Sequence, residues 1–267
     1  MAAHREFLDT AIEVVTRAGA LQMERFGQRD MLVEKKGAID LVTEVDIAVE
    51  RMFRDLIATR FPGHQILAEE FGGSPLAPAG PCWVFDPVDG TTNYAHGIPI
   101  FCASLALEID GIPQVAAVFD PTRQELFTAE RGRGAWLNGR PIAVSTAASL
   151  VDAVLVTGFP YDVHGRVEEI VGLFAQFVGR ARAVRRLGSA AIDLCYVAAG
   201  RMDGFWESDL KPWDVAGGAL IVEEAGGRVT HMDGAPFASR GGHVLATNAL
   251  LHDAMLEVIA SFRSGRL

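Results

Sequence analysis

Apolar residues recur at helical spacing in two segments near the start of the chain. The first predicted helix runs from Arg5 to about Phe26 and ends at Gly27. The second covers Glu44 to Arg60, and Phe61-Pro62-Gly63 stops it. The apolar side of the second helix carries Ile47, Met52, Phe53, Leu56 and Ile57.

Short apolar runs separated by turn residues follow these helices. A strand at His64–Ala68 leads into a loop at 71–81, which is rich in Gly, Pro, Ala and Ser, and the next strand contains Trp83–Phe85. Asp110-Gly111 predicts a hairpin turn between the two strands that flank it. The predicted strands of this region are then Ile100–Ile109, Gln114–Phe119, Glu125–Ala129 and Ala135–Leu137.

From about Val151 onward, predicted strands and helices alternate. This alternation is typical of an α/β arrangement, whereas the first half is typical of α+β. We therefore predict an α/β protein with an N-terminal part at 1–148 and a C-terminal part at 149–267, packed as one globular unit. The predicted elements are strands at Ala153–Thr157, Ala183–Leu187, Gly204–Glu207, Arg228–His231 and His243–Ala246, and helices at Val167–Val178, Ser189–Ala199, Val215–Ala225 and from Ala249.

Composition limits the classes of function. The 267 residues are 49% hydrophobic, yet they contain no apolar run of membrane-spanning length, and the first residues lack the apolar core of a signal peptide. We therefore expect a cytoplasmic protein without membrane association. A formal net charge of −10 makes direct nucleic-acid binding improbable. It does not oppose binding of a small anion, because a divalent metal can reverse the sign of a local site.

Acidic residues lie at the ends of two predicted strands and at the start of a predicted helix. Asp86 and Asp89 come after the Trp83–Phe85 strand, Glu69 follows His64–Ala68, and Asp214 lies near the start of a predicted helix. Taken singly, each has a structural explanation: a turn, a solvated strand end and a helix cap. Taken together, they form a set of oxygen ligands that suits Mg²⁺. Gly90 and Thr91 then offer backbone N–H groups to an anion such as phosphate. The pattern favours a metal-dependent phosphatase.

Five segments, in order along nearly the whole chain, resemble the inositol monophosphatase family. The two signature segments are Asp86-Pro87-Val88-Asp89-Gly90-Thr91-Thr92-Asn93 and Trp213-Asp214-Val215-Ala216-Gly217-Gly218. The other three segments are Lys36–Asp46, Ala68-Glu69-Glu70 and Arg185–Ala191. The resemblance implies a layered αβαβα sandwich of the inositol monophosphatase and fructose-1,6-bisphosphatase type. It also implies Mg²⁺ dependence with two or three ions, lithium sensitivity and a homodimer.

The resemblance further implies roles for particular residues. Glu69, Thr91 and Asp46 would be catalytic, with Asp46 accepting a hydrogen bond from Thr91 and with a metal-activated water as the nucleophile, so that no covalent intermediate forms. The metal ligands would be Glu69, Asp86, the Pro87 carbonyl, Asp89 and Asp214. The substrate would contact Glu69, Val88, Asp89, Gly90, Thr91, Gly188, Ser189, Ala190, Glu207 and Asp214.

Several functions remain open at this point. A small polyol phosphomonoester, above all inositol-1-phosphate, is the leading substrate class. Histidinol phosphate, fructose-1,6-bisphosphate and 3′-phosphoadenosine-5′-phosphate are alternatives within the same chemistry. A regulatory role in binding a protein partner is an alternative of a different class. His96 and His164 are weak candidates for a general acid, since a histidine in a loop is common.

Overall fold

The strands form three sheets in the part of the chain that the structure, a computed structural model, describes: residues 2–28, 31–37, 39–73 and 79–265. The helices of this part are α1 (Ala2–Arg25), α2 (Glu44–Arg60), α3 (Thr91–Ala95), α4 (Val167–Val178), α5 (Ala190–Ala198), α6 (Pro212–Glu224) and α7 (His252–Arg263). The strands are β1 (Val33–Lys35), β2 (Leu41–Thr43), β3 (Gln65–Ala68), β4 (Gly72–Gly73), β5 (Pro81–Asp89), β6 (Cys102–Ile109), β7 (Ile112–Asp120), β8 (Glu125–Glu130), β9 (Gly134–Leu137), β10 (Arg140–Pro141), β11 (Val154–Thr157), β12 (Ala183–Arg185), β13 (Gly204–Glu207), β14 (Arg228–Thr230) and β15 (Val244–Thr247).

The largest sheet has eight strands in the order β10-β9-β8-β7-β6-β5-β3-β4. Its neighbours pair antiparallel except for β3 and β5, which are parallel. The predicted hairpin between β6 and β7 is confirmed, and Asp110 and Gly111 both have positive φ, at 52° and 78°. Such angles at two central residues twist the turn to match the flanking strands.

The second sheet has five strands in the order β12-β11-β13-β15-β14. Its β11 pairs parallel with β12 and β13, whereas β15 pairs antiparallel with both β13 and β14. The sheet therefore contains both parallel and antiparallel pairs, which the alternation of predicted strands and helices did not indicate. The third sheet is the two-stranded hairpin β1-β2, which the hydrophobic pattern did not predict.

Helices cover both sheets and also separate them. Helices α1 and α2 pack on one face of the large sheet, around a cluster that includes Phe53, Phe85 and Phe101. Helices α5 and α6 lie between the two sheets. Helices α4 and α7 cover the outer face of the small sheet, around Phe177 and Trp206. The order helix, sheet, helix, sheet, helix confirms the predicted sandwich, whose strands are apolar on both faces because both faces are covered.

Some details differ from the sequence prediction. Helix α6 begins at Pro212 rather than Val215, since proline suits the first helical position. In the predicted loop at 71–81, Gly72–Gly73 pairs with β3, while residues 74–78 lie outside the described residues. The large sheet draws its strands from residues 65–141 and the small one from 154–247. The boundary at 148/149 stays a prediction, because α5 and α6 contact both sheets.

Cys82, Cys102 and Cys195 are free and buried, as their apolar surroundings predict. Within the described residues, every helix is too short or too polar to cross a membrane.

Close packing between α5 and α6 predicts a specific cost for a small change. A Cβ atom at Gly218 would lie 2.6 Å from Cβ of Leu194, closer than real contacts allow. Gly218→Ala should therefore lower the free energy of unfolding by about 1–2 kcal/mol, although alanine favours helix by about 1 kcal/mol. Urea denaturation measures the change.

Gly179→Ala is the matched control for this prediction. Gly179 ends α4 with φ −72°, and a Cβ atom there would lie 3.6 Å from its nearest neighbour, the Ala175 carbonyl oxygen. This variant should be as stable as the unmodified protein or slightly more stable. Equal stability of the two variants would contradict the close-packing argument.

Candidate active site

The signature segment after Phe85 extends β5 to Asp89 and then turns sharply into α3. The pairing with β6 shifts between Asp86 and Asp89, which fits a bulge that redirects the strand end. Gly90 then takes a left-handed conformation with φ 97°. A Cβ atom there would lie 2.9 Å from the Ile100 carbonyl oxygen, so only glycine fits this turn.

Backbone N–H groups fix the three aspartates in the same way. Val88 N–H donates to Asp86 Oδ1 at 2.9 Å, and Lys211 N–H donates to Asp214 Oδ2 at 2.6 Å. Asp89 Oδ2 accepts from Ala191 N–H at 2.8 Å and from the Ser189 hydroxyl at 2.5 Å. One oxygen from each of the three carboxylates lies within 4.8 Å of the others. The anchors therefore hold three acids against each other's repulsion.

A second group of acids adjoins the first. Asp46, Glu69 and Glu70 each have a carboxylate oxygen within 4.8 Å of the others. The Lys36 ammonium group donates to Glu69 at 2.8 Å and to Glu70 at 2.5 Å. Buried Glu50 accepts from the N–H of Glu70 at 2.7 Å, which fixes the chain at the end of β3. The positively charged Lys36 side chain therefore balances part of the negative charge of this group.

Burial and mutual repulsion raise the pKa values of these carboxyl groups. Burial is the largest cause for Asp86, and the charges of Glu69, Asp89 and Asp214 raise its pKa further, well above the usual range. Burial raises the pKa of Asp89 to about 6, although the Ser189 hydroxyl lowers it. Burial also raises the pKa of Asp46 and of Glu70 to about 7 in each case. A buried set of acids with such strong repulsion stabilises a bound cation in return.

The donor set fits a hard divalent cation. It consists of carboxylate oxygens, with no cysteine or histidine in either acidic group found among the described residues. Oxygen-only donors that leave room for water and substrate are typical of Mg²⁺ sites. Asp86, Asp89 and Asp214 could hold one ion, and Glu69 with its neighbours could hold another.

Thr91 lies between the acids and the N-terminal end of α2. Its hydroxyl lies 2.8 Å from the Val88 carbonyl oxygen and 3.3 Å from Asp46 Oδ1, and it donates to one or the other. The second Asp46 oxygen accepts from the Thr43 N–H at 2.9 Å and from the Thr43 hydroxyl at 2.5 Å. Asp46 is therefore both a helix-capping residue and the buried neighbour of Thr91.

Pro87 is the one predicted metal ligand whose carbonyl faces elsewhere. The buried Gln22 side chain of α1 donates to this carbonyl at 2.7 Å. Pro87 does not line the cavity, whereas Val88 does. The peptide planes of a strand alternate in direction, so the carbonyl of Val88, whose oxygen also neighbours the Thr91 hydroxyl, is the better candidate.

A cavity of about 260 Å³ joins these groups to the C-terminal half of the chain. Ser189 is the N-cap of α5, and its hydroxyl accepts from the Ile192 N–H at 3.4 Å. Glu207, at the end of β13, packs over Gly158, where a Cβ atom would lie 2.1 Å from a Glu207 oxygen. Of the predicted site residues, the cavity wall includes Glu69, Asp86, Val88, Asp89, Gly90, Thr91, Gly188, Ser189, Ala190, Glu207 and Asp214.

The structure also adds site residues that received no role from the sequence. Lys36, Arg186 and Asp193 line the cavity. Asn93 connects the two halves, since its side-chain amide donates to the Ile100 carbonyl at 2.8 Å and to the Leu187 carbonyl at 2.9 Å. All of these residues except Asp193 lie within the segments that carry the family resemblance. The segments therefore included them but did not indicate their roles.

His96 and His164 do not belong to the cavity wall. Both are exposed to solvent, His96 after α3 and His164 in a short 3₁₀ turn. Their positions agree with their low ranking as general acids.

The layered fold and the acidic cavity define a protein with an oxygen-ligand cation site at one end of two sheets. The model of the inositol monophosphatase family matches residues 3–264. An inositol-1-monophosphatase of Synechocystis is 45% identical over 96% of this chain and 89% of its own length. The Nus factor SuhB of Pseudomonas aeruginosa is 42% identical, over 94% of this chain and 95% of its own.

A solved structure agrees with these sequence relatives. The inositol monophosphatase from Anabaena superposes with a TM-score of 0.87 at 40% identity, and the match covers 96% of each chain. The chain belongs to the inositol monophosphatase family. The expectation of a phosphoric monoester hydrolase of the inositol monophosphatase type is thereby confirmed.

The raised pKa values predict how the stability of chelator-treated protein depends on pH. Burial raises the pKa of Glu207 to about 8, and those of Asp46 and Glu70 to about 7. The folded protein holds these protons after the unfolded chain has released them, so stability should fall as pH rises from 7 to 8.5. Ordinary carboxyl groups have already ionised in this range.

Urea unfolding in the presence of EDTA measures this dependence. Glu207→Gln removes one of the groups and should give a flatter profile than the unmodified chain. A stability that rises between pH 7 and 8.5 would show that the buried acids do not retain their protons.

Proposed function

We propose that this protein hydrolyses a small phosphomonoester in a Mg²⁺-dependent reaction, with inositol-1-phosphate as the best-fitting substrate. The observation that carries the proposal is the meeting of four carboxylates with the Gly90-Thr91 turn in one cavity, whose wall includes Asp86, Asp89, Asp214 and Glu69. Carboxylates repel a phosphate bound at the neighbouring turn. The two can share one site when cations lie between them.

In this proposal, Asp86, Asp89 and Asp214 hold one Mg²⁺ ion, and Glu69, Asp86 and the Val88 carbonyl hold a second. A third, weaker ion beside Glu69 is also part of the proposal and would compete with the Lys36 ammonium group. When bound, Mg²⁺ supplies positive charge to the phosphoryl oxygens and lowers the pKa of water.

The protein's own groups position the reactants. The N–H groups of Gly90 and Thr91 lie at the start of α3, where first-turn donors lack partners within the helix, and they bind the phosphate oxygens. The attacking water lies near Glu69 and Thr91. Because the Thr91 hydroxyl donates its proton to Asp46 or to Val88, its oxygen accepts a hydrogen bond from that water. No covalent intermediate is needed.

The leaving group occupies the C-terminal side of the cavity. Glu207, Asp89 and the backbone of Ser189-Ala190 face it, and acidic acceptors suit the hydroxyl groups of a polyol. The 45% identity with an inositol-1-monophosphatase supports inositol-1-phosphate. Histidinol phosphate and sugar or nucleotide phosphates are the alternatives within the same chemistry.

Three further properties belong to the proposal through the family alone. They are inhibition by lithium, a homodimeric state and a cytoplasmic location. Membrane association and direct nucleic-acid binding are not part of it.

A panel of phosphomonoesters assayed with and without Mg²⁺ tests the proposed chemistry. Asp89→Asn should lower kcat/KM for inositol-1-phosphate about a hundredfold or more, because the change removes one of the anionic ligands that would hold Mg²⁺ beside the reacting phosphate. Asp253→Asn is the matched control, since Asp253 pairs with Arg228 on the surface. Full activity of Asp89→Asn would remove Asp89 from the proposed ligand set.

The role of Glu207 is tested by a ratio of substrates. Glu207→Ala should lower kcat/KM for inositol-1-phosphate about tenfold relative to glycerol phosphate, because it removes the hydrogen-bond partner of a substrate hydroxyl group, and an unpaired buried group costs about 1–3 kcal/mol. An unchanged ratio would show that Glu207 does not select the polyol.

A second candidate function is the binding of a protein partner in a regulatory role. The 42% identity with the Nus factor SuhB of Pseudomonas aeruginosa favours it. Phosphate release from none of the panel's substrates would favour this function over hydrolysis.

A further inference from the structure

Asp193 is a buried acidic residue whose presence in the core is not explained by packing. It is 1% exposed, in the first turn of α5, and neither carboxylate oxygen has a hydrogen-bond partner within the described residues. An unpaired buried carboxyl group costs several kcal/mol of stability compared with an apolar side chain of the same shape. A residue retained at such a cost is a candidate for contact with a ligand.

The direction of Asp193 follows from the geometry of α5. Side chains of a helix lean toward its N-terminus, so Asp193 lies over the turn that begins at Ser189. Ser189 bonds Asp89, and Asp193 lines the same cavity as both of them. The charges of Glu207 and Asp89 both act on Asp193. Asp193 therefore belongs to the part of the cavity wall that Ser189 and Glu207 also form.

Arg186 supplies the complementary kind of group in this cavity. It lines the cavity, and its guanidinium carbon lies 5.7 Å from the centre of the Phe159 ring. Across the described part of the chain, its side chain forms no hydrogen bond and no ion pair. An unused donor thus accompanies two acidic acceptors, Asp193 and Glu207. A hydroxyl group both donates and accepts, whereas an ammonium group only donates.

We propose that Asp193 is a specificity-determining residue that accepts a hydrogen bond from a hydroxyl group of the substrate's leaving group. The class of substrate that fits is a phosphomonoester of a polyol with several free hydroxyl groups, which Asp193 and Glu207 accept from and Arg186 donates to. This inference rests on the proposed phosphatase function and adds Asp193 to the residues that select the substrate.

Two substrates of matched shape test the inference. Inositol-1-phosphate and cyclohexyl phosphate share a six-membered ring, but only the first carries free hydroxyl groups. Asp193→Leu should lower kcat/KM for inositol-1-phosphate about ten- to a hundredfold, mainly through KM, and leave the value for cyclohexyl phosphate within about twofold. Asp193→Asn retains an acceptor oxygen and should recover part of the loss.

The thermal stability of the variant distinguishes a role of Asp193 in substrate binding from a role in folding. Asp193→Leu should have a midpoint of thermal unfolding equal to or above that of the unmodified protein, because an unpaired acid is replaced by an apolar group of similar shape. A residue needed for folding would give a lower midpoint instead. Asp209→Asn is the control: Asp209 also lines the cavity, but its carboxylate pairs with Arg166, and the change should leave the substrate ratio unaltered.

The outcomes separate this inference from the function on which it rests. Equal losses for both substrates, or a lower unfolding midpoint with an unchanged substrate ratio, would overturn the role of Asp193 while the unmodified enzyme stays active. Absence of phosphate release by the unmodified protein from either substrate would overturn the proposed function, and the role of Asp193 with it.

Discussion

Repulsion among buried carboxylates is the constraint around which this molecule is built. Asp86 and Asp89 lie on one strand and Asp214 lies far along the chain, and each of the three is fixed by a backbone N–H group on one of its oxygens. Those donors preset the geometry before any cation arrives, so little reorganisation remains for binding. The same donors reduce, but do not remove, the cost of burial, and the pKa of Asp86 stays far above its usual range.

The sandwich explains how acids from so many elements meet. The parallel strands β3 and β5 end at the same edge of the large sheet, which brings Glu69 beside Asp86. Helix α6 lies between the two sheets and starts at that edge, so Asp214 joins them. Helix α2 contributes Asp46 from the opposite face of the sheet. Cores on both sides hold these ends rigidly, since their strands are covered on both faces.

The sequence predicted the elements better than their connections. Helical spacing located α1 and α2, and the Asp110-Gly111 pair located a hairpin, because these signals are local. The antiparallel pairing of β13 with β15 joins distant segments and left no comparable signal. The β1-β2 hairpin is local, but its strands have only three residues each and β1 is exposed, so they form no apolar pattern. At the site, the signature segments led to most residues of the cavity wall. They did not show that the Gln22 side chain donates a hydrogen bond to the Pro87 carbonyl, since that contact joins residues 65 positions apart. Asp193 was overlooked because an acid in an apolar helix has no motif of its own.

Asn93 joins the two halves of the molecule through hydrogen bonds of its side chain. Its amide donates to the carbonyl of Ile100 and to the carbonyl of Leu187 before α5. Local opening that moves Asn93 therefore breaks both attachments at once. Amide hydrogen exchange in the turn after β5 and in the first turn of α5 would then proceed through one shared opening, and a ligand bound at either segment would slow exchange in both.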